Sequence, residues 1–116
     1  MNTKENENQL TYSSSQWKKK RKEILDKQSH CLCCACLGLD TPAKEVHHVL
    51  KFGKQISADA HNKLFLDDEN LIPLCKDCHT YIHRKHELVN PVFSDYLYKL
   101  KTYLCWKYPN AIWTDN

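Results

Sequence analysis

The sequence predicts a small α+β domain built around bound metal, with a helix on either side. Three observations carry this. Cys31-x-x-Cys34 and Cys75-x-x-Cys78 are two C-x-x-C turns, and each is half of a tetrahedral zinc site, because two thiolates three apart grip one ion from a tight knuckle. His47-His48 lies in a short apolar run, and His79-x-x-x-His83 follows the second knuckle; histidines four apart on a helix share one face. Apolar residues recur at three- and four-residue steps at both ends of the chain, which marks amphipathic helices. Sulfur and imidazole are different ligand sets, so two metal sites are expected, one to hold the fold and one for chemistry.

The bulk properties narrow the class. A chain of 116 residues is one domain. Its core is small for that length, so a structural metal contributes much of its stability. Seven cysteines are many. No apolar signal segment precedes them, and nothing approaches the ~18 apolar residues of a membrane span. The chain is therefore read as cytoplasmic, with no membrane partner. There thiols stay reduced, and close pairs bind metal rather than form a secreted disulfide framework. The net charge of +3 permits nucleic-acid binding without demanding it.

Residues 1–12 are Asn-, Glu- and Lys-rich and are expected to form a disordered tail. Ser13 to Ser15 supply caps for a helix over 16–27, with Trp17, Ile24 and Leu25 as its buried stripe. The run Lys18-Lys19-Lys20-Arg21-Lys22 is either a solvated helix face or a phosphate-contacting patch. Cys33/Cys36 is also a C-x-x-C pair, in competition with Cys31/Cys34.

Glu45 to Leu50 reads as one short strand. A regular strand sends His47 and His48 to opposite faces, which suits a division of labour between them. Residues 51–68 read as a connector without periodic pattern, in which 64–66 is a candidate second strand. A helix is expected from near Cys78. His30, His61 and His86 read as surface histidines. After Asn90-Pro91, residues 93–107 form an amphipathic helix with Phe93, Tyr96, Leu97, Leu100, Tyr103 and Leu104 as the packing stripe and Lys99, Lys101 and Lys107 near the polar side. That stripe is expected to pack on the N-terminal helix, or else to form a dimer face. The division is a tail at 1–12, a domain at 13–89 and a helical extension at 90–116.

Cys31-x-x-Cys34, His47-His48, Asn70-Leu71-x-x-Leu74-Cys75-x-x-Cys78 and His79-x-x-x-His83 occur in this order. Together they resemble the HNH endonucleases over roughly residues 15–86. The resemblance implies a ββα-metal (His-Me finger) core with a structural zinc knuckle pair. It selects Cys31, Cys34, Cys75 and Cys78 as the zinc ligands, from the spacing between Cys34 and the histidine pair. It implies that His48 is the general base and that His47, His79 and His83 hold a catalytic divalent ion. Asn70 would brace the loop and orient His48. Imidazole ligands leave Mg, Mn, Ni, Co and Zn open as that ion.

The implied activity is hydrolysis of DNA phosphodiester bonds with low sequence specificity, double-stranded DNA being the partner. Lys18, Lys19, Lys22, Lys76, Arg84 and Lys85 are the candidate phosphate contacts, so binding is expected to weaken steeply with salt. Small members of this family are often encoded by phages or mobile elements and act in packaging or restriction; a homodimer or phage packaging proteins are further candidate partners. The alternative is a non-catalytic zinc-binding module for nucleic acid or protein.

Overall fold

The apolar run around the two imidazoles forms strand, but it breaks at Val49 into two short strands with different partners. In a computed structural model of the chain, residues 9–52, 56–83 and 91–114 are described. Helix α1 (Ser15–Lys27) is followed by the single turn α2 (Leu32–Ala35), then β1 (Glu45–His48), β2 (Leu50–Phe52) and α3 (Ala58–Phe65). A 3-10 turn (Asp68–Asn70) leads to β3 (Leu71–Leu74), α4 (Lys76–His83), α5 (Pro91–Lys107) and β4 (Ala111–Trp113). The class is α+β, with helices and small antiparallel strands around a four-cysteine cluster.

β1 pairs antiparallel with β3, which sets His47 opposite Ile72 and His48 opposite Leu71. β2 pairs antiparallel with β4, with Leu50 opposite Trp113. Val49 stitches the two pairs together. Its N–H donates to the Asn70 carbonyl at 2.9 Å and its carbonyl accepts from the Thr114 N–H at 3.2 Å. The second strand of the core is therefore β3, not residues 64–66. Pro73 fits there because β1 is the single neighbour of β3 among the described strands, so its missing N–H costs no ladder bond. The pair β1/β3 runs straight into α4, giving the ββα order.

Residues 58–65 form a helix where the sequence predicted a connector. Ser57 caps it, its hydroxyl accepting from the Ala60 N–H at 3.2 Å, and Asp59 complements the positive end. Leu64 of this helix enters the core and Phe65 faces the imidazoles.

Two apolar clusters result. Trp17 and Ile24 of α1 pack with Val46 and Leu71. Phe93, Leu97 and Leu104 of α5 pack with Leu50, Leu64, Leu74 and the knuckle residues Cys31 and Cys33. The two terminal helices thus bury their faces in different clusters, rather than against each other as expected. The buried stripe of α5 is also narrower than predicted. Tyr96 and Tyr103 remain largely exposed, while Lys101 is buried with its ammonium 4.0 Å from the centre of the Trp113 ring. This cation–π contact lets a lysine occupy an apolar stripe.

Gln9 to Tyr12 fall within the stretch expected as tail. Gln9 Nε2 donates to the Ile56 carbonyl at 2.9 Å, and the Leu10 N–H donates to Asn62 Oδ1 at 2.8 Å. Residues 1–8 lie outside the described part.

Candidate functional site

Each knuckle turn is shaped by its first cysteine. Cys31 stands at the N-cap of α2 and its sulfur accepts from the Cys34 N–H at 3.4 Å; Cys75 Sγ accepts from the Cys78 N–H at 3.5 Å. Gly38, with φ +75°, then turns the chain back, and the Leu39 N–H reaches the Cys34 carbonyl. The turns bring the sulfurs of Cys31, Cys34, Cys75 and Cys78 within 4.8 Å of one another. Cys34 Sγ lies 3.9 Å from Cys75 Sγ and 3.7 Å from Cys78 Sγ. Four sulfurs at tetrahedral zinc distance are separated by about 3.8 Å, so the cluster fits a structural zinc. Burial, then the neighbouring Cys75 and Cys33, pushes the Cys78 thiol up. Cys33 and Cys36 are not among the converging four; Cys33 is buried in the core and Cys36 packs against it.

On the Glu45 face of β1, His47 is buried and its ring centre lies 5.1 Å from that of His79 on α4, edge to face. Two imidazoles on one tetrahedral ion, each bound at about 2.1 Å, have ring centres roughly 5 Å apart. The pair therefore fits a shared ion. Glu45 sits two residues before His47, on the same face of β1, and its Oε1 is hydrogen-bonded to His79 Nδ1. A carboxylate can only accept here, so the proton sits on Nδ1 and the lone pair of His79 on Nε2. His83 ends α4, and its side chain, with Arg84 and Lys85, lies outside the described residues.

His48 points the other way, into an aromatic cage. Its ring stacks on Phe65 at 4.4 Å and tilts against Trp17 at 4.6 Å, with Tyr12 edge-on at 5.7 Å. Nε2 lies 2.9 Å from the Phe65 carbonyl oxygen, while Nδ1 is buried with no hydrogen-bond partner among the described residues. Burial lowers its pKa to about 4, against a smaller rise from the Phe65 bond. His48 also lines a cavity of about 490 Å³ with Leu10, Tyr12, Phe52, His61 and Phe65 around it.

Asn70 is fully buried and bonds only backbone. Its Oδ1 accepts from the Leu50 N–H at 2.7 Å; its Nδ2 donates to the Leu50 carbonyl at 3.0 Å and the Leu64 carbonyl at 3.2 Å. It thus grips the chain two residues after His48 and one residue before Phe65. Any orienting effect on His48 runs through those two backbone segments.

The HNH endonuclease family model matches residues 31–85, from the first knuckle cysteine to just past α4. Residues 31–85 carry the similarity to the HNH endonucleases. Searches of curated proteins and of solved structures gave no significant match. The HNH match spans both knuckles, the His47-His48 pair, Asn70 and α4, and leaves α1, α5 and β4 outside it.

The predicted phosphate contacts around the HNH domain divide. Lys18 and Lys19 are exposed on α1, Lys76 is exposed at the start of α4, and Lys22 is exposed but paired with Asp26 at 2.8 Å. Lys20 is drawn to Asp68 at 2.6 Å. His30 is exposed beside Asp40, as a surface histidine should be. His61 is not on open surface: it stacks on Phe65 and its Nε2 lies 3.0 Å from the Leu10 carbonyl. Sequence reasoning missed Glu45 and Thr114. The two-residue alternation of a strand could have drawn Glu45 to the His47 face; no local signal marks Thr114.

Proposed function

We propose that this chain is a metal-dependent HNH endonuclease that hydrolyses DNA phosphodiester bonds with low sequence specificity. The observation that carries the reading is the state of His48. The Phe65 carbonyl can only accept, so it holds the imidazole proton on Nε2. The lone pair is then on Nδ1, and the lowered pKa keeps the ring neutral at pH 7. A neutral imidazole with one nitrogen bonded behind and the other lone pair uncommitted is the form a general base needs. Nδ1 takes the proton from the attacking water as the phosphorane forms. In the free chain Nδ1 is covered, so the wall around it must shift when the backbone of DNA engages.

His47, His79 and His83 would hold the divalent ion, which when bound supplies Lewis acidity for the charge on phosphorus oxygens and the leaving oxygen. Mg, Mn, Ni, Co and Zn are its candidates. Glu45 holds His79 for that role, and Asn70 fixes the backbone on either side of the base. Lys18, Lys19, Lys22, Lys76, Arg84 and Lys85 would contact phosphates of double-stranded DNA, positioning it without reading bases. Residues 13–89 form the nuclease unit and 90–116 an extension that serves it. The setting proposed is cytoplasmic, where thiols stay reduced and close cysteine pairs bind metal. Among the described residues no helix is long and apolar enough to cross a membrane.

One observation favours a second reading, a non-catalytic zinc-binding module: the covered Nδ1 of His48. Supercoiled plasmid incubated with metal-stripped, zinc-reconstituted protein and each divalent ion in turn separates the two. Nicking that requires the added ion supports the nuclease. Binding without nicking under every ion supports the module.

A further inference from the structure

Thr114 follows β4, well outside the residues the HNH family matches, yet its side chain reaches the imidazole of His47 and the backbone carbonyl of His48. It is carried there by two fixed contacts of the strand before it. Trp113 pairs with Leu50 in the β2/β4 ladder, and the buried Lys101 of α5 holds the Trp113 ring. The Thr114 N–H then bonds the Val49 carbonyl at 3.2 Å.

The hydroxyl decides the chemistry. Oγ1 is hydrogen-bonded to the His48 carbonyl oxygen and lies 3.3 Å from the Val49 carbonyl oxygen. Both are pure acceptors, and a hydroxyl has one hydrogen, so that hydrogen is committed to them. His47 Nε2 lies 3.3 Å from the same Oγ1. Toward it the hydroxyl offers only a lone pair. In this bond His47 must be the donor, which puts its proton on Nε2 and its lone pair on Nδ1.

We propose that Thr114 is a positioning residue for the catalytic ion site: it sets the tautomer of His47, so that His47 offers Nδ1 to the divalent ion. This rests on the nuclease reading of His47 as an ion ligand and names how one ligand is prepared. His79 is prepared in the mirror sense, with Glu45 on its Nδ1 and its lone pair on Nε2. The two rings then present different nitrogens to one ion, each fixed by a partner behind it. The C-terminal strand is thereby part of the site, although it lies beyond the family match.

The test uses the full chain, zinc-loaded at the cysteines only and labelled with nitrogen-15. Two-bond proton–nitrogen correlation spectra at pH 7.5 read the His47 tautomer directly, with no added ion and no substrate. Nickel titration by calorimetry reads the affinity of the second site. The expected result is a protonated Nε2 on His47 in the wild type and in Thr114→Ser. In Thr114→Val a mixture of tautomers is expected, with nickel affinity about 10-fold weaker or more. A protonated Nδ1 on His47 in the wild type overturns the proposal without recourse to any variant. It is overturned equally if Thr114→Val lowers only the melting temperature and leaves tautomer and nickel affinity unchanged. Failure of the nuclease reading shows elsewhere, as intact plasmid with the tautomer as proposed.

Discussion

The Nε2 nitrogen of His48 lies 2.9 Å from the carbonyl oxygen of Phe65, while the Phe65 ring stacks on the same imidazole at 4.4 Å. One residue thus orients the ring by its backbone and desolvates it by its side chain. The first effect fixes the tautomer; the second lowers the pKa to about 4.

That lowered value has a consequence for stability. An unfolded histidine titrates near 6.5, so between about pH 6.5 and 4 the unfolded chain binds a proton that folded His48 refuses. Stability from this group is complete above the unfolded pKa and declines as pH falls toward the folded one, by on the order of 3 kcal/mol in full. Urea denaturation of the zinc-loaded protein at pH 7.5 and 5.0 should show the loss. His48→Gln should lose less over the same interval. An equal loss in both proteins would assign the acid sensitivity to other groups.

Asn70→Ala should be among the most damaging single changes. It strands the Leu50 N–H and carbonyl in a dry interior, while the Leu64 carbonyl keeps the Asp67 N–H at 3.3 Å. A buried polar group left unpaired costs about 1–3 kcal/mol, so with two such groups a loss of at least ~2 kcal/mol is expected. Chemical denaturation checks this. Because the bonds run to backbone, Asn70→Asp should also destabilise, by taking away the two donor hydrogens.

Removal of the structural metal should unfold the chain rather than loosen it. A structural zinc in small domains contributes on the order of 10 kcal/mol, comparable to the about 5–15 kcal/mol that holds a whole domain folded. Chelation at neutral pH, or Cys75→Ser, should abolish the cooperative melting transition followed by circular dichroism. Cys36→Ser should keep one zinc per chain, since Cys36 lies outside the converging four. Loss of zinc in that variant would contradict the assignment.

Glu45→Ala should weaken the second metal site while leaving the first filled. The carboxylate behind His79 fixes its tautomer, and loss of such a partner lowers metal affinity about 10–100-fold. Nickel calorimetry on the zinc-loaded variant measures it, with zinc content as the control on folding.

The parts of this fold that were legible in the sequence are those with a local signature. The knuckles were legible because the ligands are three apart. The helix from Ser15 was legible because Trp17 and Ile24 lie two turns apart on one face. Helix α3 left only a faint trace, Ser57 as cap and Asp59 in the first turn, because just one of its residues, Leu64, is buried in the core. Lys101 misled by type: its charge placed it on the polar side, whereas Trp113, twelve residues on, draws it inward. The aromatic cage of His48 and the hydroxyl of Thr114 join residues far apart in the chain, and no spacing rule links them. Tyr96 and Tyr103 obey the helical period but lie at the edges of the buried stripe, where a hydroxyl can stay in water; Tyr103 uses it to reach Glu69 at 3.1 Å.

The central claim is that His48 is a base serving a phosphodiester bond, and the most direct measurement is plasmid nicking by His48→Ala beside the wild type. Both proteins carry one zinc per chain and receive the same added divalent ion. The account predicts ion-dependent nicking by the wild type and a loss of at least about 100-fold in the variant, with zinc content and DNA binding retained. Nicking at equal rates in both proteins, or none in the wild type under any ion despite DNA binding, would contradict it.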